Sequence, residues 1–220
     1  MANEVVTKVK QDIDRQKPEL QKVLPDGDVE RFTRIALTAV QNNPDIQKCQ
    51  PGSVIAAVQK CAEDGLDPDG RQAALVRFKN ICVYMPMVRG LIDKVYDAGG
   101  VSFITTHIVY EADGFAVWVD DDGEHISHTP AIRDDRGSVI AAYALAKLES
   151  GYRIVETMTH GEIEQVRQTS RSKDSGPWVQ FWGEMARKTA LRRLVKRLPL
   201  QKAKRQNLER VLASDDDLNG

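Results

Sequence analysis

Long apolar runs are missing from this 220-residue chain, and with them any stretch that reads as a membrane span. The opening segment, MANEVVTKVKQDIDRQ, carries acids and no apolar core, so it does not read as a signal peptide. Cysteine is sparse and unpatterned: Cys49, Cys61 and Cys82 are an odd number with no CxxC spacing. That usage fits a reduced, cytoplasmic protein and argues against a disulfide framework.

Catalytic and nucleotide-binding signatures are missing as well. No G-x-x-x-x-G-K-[ST] is present, which removes the ATP-driven recombinases and helicases, and no G-x-G-x-x-G occurs. Neither a nucleophile elbow nor an H-E-x-x-H motif is found. Of the four histidines, only His125 and His128 lie close together, beside Asp120, Asp121, Asp122 and Glu124. Those residues supply the donors for a metal-dependent nuclease over 120–128, although DDDGEHISH reads more simply as an exposed acidic turn. A binding protein is the better expectation, with no catalytic residue, metal or cofactor.

Net charge is also nearly missing, at −1, but only because it is sorted along the chain. Residues 161–210 hold 13 basic and 5 acidic side chains, while 111–135 hold 8 acids and one Arg. A basic C-terminal third is the footprint of a nucleic-acid surface. Its densest part, WGEMARKTALRRLVKRLP, places Leu191, Leu194, Val195 and Leu198 on one helical face and Lys188, Arg192, Arg193, Lys196 and Arg197 on the other. No acids interleave at i, i+4 to relieve that repulsion. Trp178, Trp182, Met185 and Thr189 project close to the basic stripe. Either a helix over about 178–198 breaks near 186–189, or aromatic and basic residues line one surface.

The pattern of elements predicts an α+β fold with largely antiparallel strands. Val5, Val9 and Ile13 form a narrow stripe in an N-terminal amphipathic segment, 1–25, that reads as a self-association handle or a core helix. Phe32, Ile35, Ala36, Ala39 and Val40 mark the next helix, and Ser53 caps another that stops at Gly65. QAALVRF and ICVYMPM make a hairpin around Lys79-Asn80, with Arg77 and Lys79 on one strand face. A helix ending at Gly99-Gly100 follows, then strands, a hairpin at Ser150-Gly151, and a Thr159-x-x-Glu162 capping box. The core spans 26–200, and 201–220 is a short C-terminal helix with an acidic tail.

Six blocks, read in order, resemble the RecT family of phage and prophage single-strand annealing recombinases. They are GLDPDGRQAALVRFKN, MPMVRGLIDKVYDAGG, IVYEADGF, AAYALAKLESG, GEIEQVRQTS and GPWVQFWGEMARKTALRRLVKRLP. Each is weak alone and specific in company, and together they run from about Phe32 to Leu200. The resemblance implies ATP-independent binding of single-stranded DNA, annealing of complementary strands into duplex, and a homo-oligomeric ring or filament. It implies a small antiparallel sheet packed on a central helix, flanked by N-terminal and C-terminal helices, in a bacterial or phage-infected cell. A 5′ to 3′ exonuclease and a host single-strand-binding protein are the partners it suggests.

An annealing protein must hold phosphates while leaving base edges free, which Lys and Arg in a groove do without sequence preference. The residues expected to do so are Arg71, Arg77 and Lys79 on the first hairpin, and Arg171, Lys173, Lys188, Arg192, Arg193 and Lys196 in the C-terminal half. A different class of function stays open, in which the basic face makes an oligomeric scaffold for acidic proteins.

Overall fold

The computed structural model describes residues 2–24, 28–170, 173–174, 176–200 and 202–219, with side chains from residue 6 to residue 213 except 202–203. The chain divides into two compact units, Met1–Leu91 with Glu209–Leu218, and Ile92–Leu208 with the last two residues. Helices and small antiparallel sheets make up both, the α+β class expected. Among the described residues no helix is long and apolar enough to cross a membrane.

The first unit packs helices α1 (Ala2–Val23), α2 (Asp28–Gln41) and α3 (Pro51–Glu63) with a hairpin of β1 (Ala73–Phe78) and β2 (Ile81–Pro86). Val9, Ile13 and Leu20 of α1 are buried, and α1 packs on α2 and α3 of the same chain. The narrow stripe is therefore occupied at Val9 and Ile13 as part of a core; the Val5 side chain lies outside the described ones. The buried face of α2 is Val29, Phe32, Thr33, Ala36 and Val40, leaving Ile35 and Ala39 half-buried.

Helix α3 starts earlier than Ser53: Gln50 is its N-cap and Pro51 takes the first helical position, where no N–H is needed. Ser53 instead donates to the Gln50 carbonyl (2.6 Å) and accepts from the Cys82 N–H (2.9 Å), tying α3 to β2. Gly65 makes the left-handed stop, with φ 62°. Between the strands, Lys79 adopts φ 57° and belongs to the turn, so the alternation argument that put it beside Arg77 does not apply. Helix α4 (Val88–Ala98) runs across the division of the chain. It needs Gly90, because a Cβ there would stand 2.2 Å from the Gln72 carbonyl oxygen.

The second unit is built on a three-stranded antiparallel sheet ordered β3 (Val101–Tyr110), β6 (Val139–Leu148), β7 (Arg153–Thr159). A separate hairpin joins β4 (Gly114–Asp120) to β5 (Gly123–Thr129). Helices α5 (His160–Thr169), α6 (Pro177–Gln180) and α7 (Trp182–Arg197) follow, and α8 (Lys202–Asn219) ends the chain. The capping box forms as read: the Thr159 side chain accepts from the Glu162 N–H, and the Glu162 side chain accepts from the Thr159 N–H.

Alternation assigns the two faces of the sheet. Ala142, Ala144 and Ala146 of β6 are fully buried on the side where α7 packs. Their small size lets the helix approach, and Gly183 of α7 lies against Ile108, the β3 partner of Ala142. Ala141, Tyr143 and Leu145 turn the other way and meet Phe115 and Ile126 of the β4–β5 hairpin. Helix α7 packs on all three strands of the sheet, and α5 packs on β6 and β7.

Two local expectations change. The helix expected over 178–198 breaks at Phe181 (φ −138°, ψ 49°), and α7 is continuous through 186–189. Trp178 is therefore off the α7 projection altogether, and it is buried. The acidic turn also shrinks to Asp121-Asp122, because Gly123–Thr129 is strand paired with β4.

Candidate nucleic-acid interface

The expected phosphate-binding residues fall into separate groups, three in the first unit and six in the second. In the first, Arg71 is exposed beside the Pro68-Asp69-Gly70 turn, where its N–H donates to Asp69 (2.8 Å) while its guanidinium faces solvent. Lys79 is exposed at the hairpin tip with its ammonium 5.9 Å from the Phe78 ring centroid. Arg77 is committed more firmly: its Nε donates to the Lys79 carbonyl, and its guanidinium lies 3.7 Å from Asp45.

In the second unit the basic stripe of α7 is not one surface. Lys188 is 3% exposed and sits in the core face with Met185, Leu191 and Leu194, so its charge is not presented to solvent. Arg193 reaches Glu156 of β7 at 3.1 Å and Glu162 of α5 at 3.4 Å. Arg197 bonds the Val155 carbonyl (2.7 Å), Glu156 (3.1 Å) and Glu124 of β5. Burial works against its charge, yet Glu124 and Glu156 hold its pKa above the ordinary value. Glu162 is pulled below its ordinary value by the Thr159 N–H and hydroxyl first, then by Arg193.

The acids that offset Arg193 and Arg197 come from β5, β7 and α5, outside the helix itself. Of the stripe, Lys196 is exposed with no hydrogen bond or ion pair to the described residues, and Arg192 is half-buried with a partner of its own. Lys173 donates to Gln168 (3.3 Å), and Arg171 lies outside the described residues.

Two cations that sequence reading passed over are placed together. Lys147 and Arg153 are exposed cross-strand partners at the turn end of the β6–β7 hairpin. The signal was available, since Ser150-Gly151 fixes the turn and the register follows from it. The exposed aromatic near α7 is Phe181, 59% accessible at the helix break. Trp182, by contrast, is half-buried, stacked on His160 and donating to Glu164 (2.6 Å).

The acidic, histidine-containing segment does not converge. His125 and His128 are three apart on a strand and so point to opposite faces. His125 stacks on Trp118 and bonds Asp120 (2.7 Å), while His128 bonds the Tyr143 hydroxyl (3.2 Å) and Asp113 (3.1 Å). Among the described residues no group of three His, Cys, Asp or Glu is placed to hold a metal ion.

Asp113 is a different kind of site. Its carboxylate is fully buried and accepts from Arg136 (2.6 and 3.1 Å), the Ala131 and Tyr110 N–H groups (each 2.9 Å) and His128. The Arg136 guanidinium, against burial, holds that carboxyl well below the usual range. This node clamps the base of the β4–β5 hairpin and the 130–138 loop. Its groups are consumed by one another, so it positions rather than reacts.

The sequence model of the RecT family matches residues 30–216. Protein RecT of Escherichia coli (strain K12) is 35% identical to this chain over 182 residues, which is 78% of this chain and 66% of that relative. The chain thus spans 66% of the length of the relative it matches.

Proposed function

Because the chain belongs to the RecT family, we propose that it binds single-stranded DNA and anneals complementary strands without ATP. It does so as a stoichiometric, self-associating protein rather than as a catalyst. The observation that carries this reading is the family match, which extends over nearly the whole core.

The surface chemistry supports the mechanism. Sequence-blind capture of a strand needs cations whose charge is not already spent, because a phosphate must replace water rather than a carboxylate. Arg71 and Lys79 in the first unit meet that requirement, and in the second Lys196 does, as do Lys147 and Arg153. Arg77, Arg193 and Arg197 are partly neutralised, and Lys188 is buried, so these four are structural before they are phosphate ligands. Gripping the backbone leaves Watson–Crick edges to the incoming strand.

The test is strand annealing with labelled complementary oligonucleotides, in EDTA and without nucleotide triphosphate, followed on a denaturing gel. The expected result is accelerated duplex formation with no strand shortened. Asp121→Asn combined with His125→Ala should anneal within about threefold of the parent, because neither side chain belongs to a group placed to hold a metal ion among the described residues. Loss of annealing in EDTA, or strand shortening that the double variant abolishes, would overturn the reading in favour of metal-dependent cleavage.

A further inference from the structure

β3 and β6 are adjacent antiparallel strands, which a turn of a few residues would join. Instead the chain leaves the sheet at Glu111 and returns only at Ser138, spending the excursion on the β4–β5 hairpin and an exposed loop. Phe115, Ile126 and His128 account for the hairpin's inner face. Glu124 bonds Arg197 and the Val155 N–H, and Trp118 stacks on His125, yet much apolar surface of β4 stays in solvent. Val117 is 42% exposed, Trp118 45%, Val119 74%, and Ile132 in the following loop is fully exposed.

The backbone of β4 is open as well. Asp120 and Gly123 flank a two-residue turn and form the hydrogen-bonded closing pair. Alternation then turns the N–H and C=O groups of Phe115, Val117 and Val119 away from β5. No described residue pairs with them. Natural edge strands are usually blunted by Pro, Lys or a bulge. GFAVWVD has none of these, and its register with β5 is unbroken. An apolar, regular, unblunted edge is the form that accepts another chain.

Charge selects the partner. Of the acids over 111–135, Glu111, Asp121, Asp122, Asp134 and Asp135 stay exposed outside the internal ion pairs, against one Arg, which repels a phosphate backbone and favours a basic protein surface. The same chain holds the complement, with 13 basic and 5 acidic residues over 161–210, of which Lys188 is set aside by burial and Arg193 and Arg197 by pairing with acids outside α7. We infer that the outer edge of β4, with Val117 and Val119, docks on the basic surface of a second copy of this chain. Donor and acceptor surfaces differ, so the contact is head-to-tail and propagates. This deepens the proposed function by naming the surface through which the protein self-associates on DNA.

The experiment uses the full chain carrying Val119→Lys, a change at an exposed position with the β4–β5 pairing intact. Sedimentation velocity is run alone and after successive addition of complementary oligonucleotides. A thermal melt checks the fold, and anisotropy with a short labelled dT oligonucleotide reads DNA contact by one copy. The expected result is a rise of at least about tenfold in the self-association midpoint, equivalent to 1.4 kcal/mol. The melt and short-oligonucleotide affinity should match the parent. A minor fraction of the variant, retaining its basic surface, should cap and shorten parent assemblies. Should Val119→Lys melt early, Asp121→Lys with Asp122→Lys in the exposed turn carries the same test.

Parent-like sedimentation of the variants overturns the inference, as does a parent that stays monomeric with and without DNA. Unchanged self-association with lost dT affinity assigns the edge to DNA instead, and unchanged self-association with lost binding of a basic host protein assigns it elsewhere. If the parent self-associates through Val119 but does not anneal, the annealing reading falls and the inference stands.

Discussion

Strand β6, VIAAYALAKL, and strand β4, GFAVWVD, are both written mostly in apolar residues. Ala141 to Ala144 and Ala146 of β6 are buried, whereas β4 is exposed at every residue but Phe115. The difference is one of position. β6 is the middle strand, covered by α7 on its alanine face and by the β4–β5 hairpin on its Tyr143 face. β4 lies at the outside of a two-stranded ribbon, with one side of its backbone unpaired. Hydrophobicity reports what a strand can bury, and topology decides whether this chain buries it. Where the two disagree, as in β4, the surplus is available for another molecule.

The largest effect should come from breaking the enclosed half of that comparison. Leu194 is fully buried in α7, the helix that packs on β6. Leu194→Ala should destabilise the protein by about 2–5 kcal/mol, the cost of a core truncation with its cavity, read as a fall in melting temperature. A change below 1 kcal/mol would mean that α7 and β6 are not the core of this unit.

The next effect tests the clamp that holds the exposed ribbon to the enclosed sheet. Asp113→Asn removes a buried charge from Arg136, and Arg136 itself is 28% exposed. The expected cost is about 2 kcal/mol, the scale of a charge-assisted hydrogen bond partly screened by solvent. The folded pKa of Asp113 is lowered, so the unfolded state binds its proton first. The stabilisation is therefore complete above the ordinary carboxylate value and drains away as pH falls through the folded value. Denaturant melts should show a constant gap between parent and Asp113→Asn from about pH 7 to pH 5, closing below about pH 4. A gap that widens with acid would contradict the assignment.

How much of this the sequence disclosed follows the same division. The capping box at Thr159, the stop at Gly65, the hairpins at Lys79-Asn80 and Ser150-Gly151, and the α+β class were legible because each is set by neighbours in sequence. The helix break at Phe181 was not, since it is the burial of Trp178 behind it that redirects the chain. In the same way, Arg193 and Lys196 lie equally far from the apolar face on a helical projection, while Lys188 borders it beside Val195. Only the sheet beneath α7 distinguishes Arg193 from Lys196, through Glu156. Family resemblance could identify the basic block but not sort its members.

The smallest effect sharpens the comparison to a single turn of α7, where Arg193 and Lys196 carry the same charge in different company. Arg193 is held by Glu156 and Glu162, and Lys196 has no ion pair to a described residue. If unspent charge is what phosphates recognise, Lys196→Ala should weaken binding of a dT oligonucleotide whatever its sequence substitute. It should also reduce the log–log salt slope by about 1, the signature of one lost phosphate contact. Arg193→Ala should leave the slope near the parent's and cost at most about 1 kcal/mol of stability, since it removes a surface ion pair. Glu156→Gln then works in the opposite direction. It frees Arg193 and Arg197 from one partner, and affinity should rise with a steeper slope, because cations released from an internal carboxylate become available to DNA. Anisotropy titrations at several salt concentrations measure all three. Equal slope losses for Lys196→Ala and Arg193→Ala would show that DNA displaces the internal pairs, and position on α7 would no longer separate the two residues.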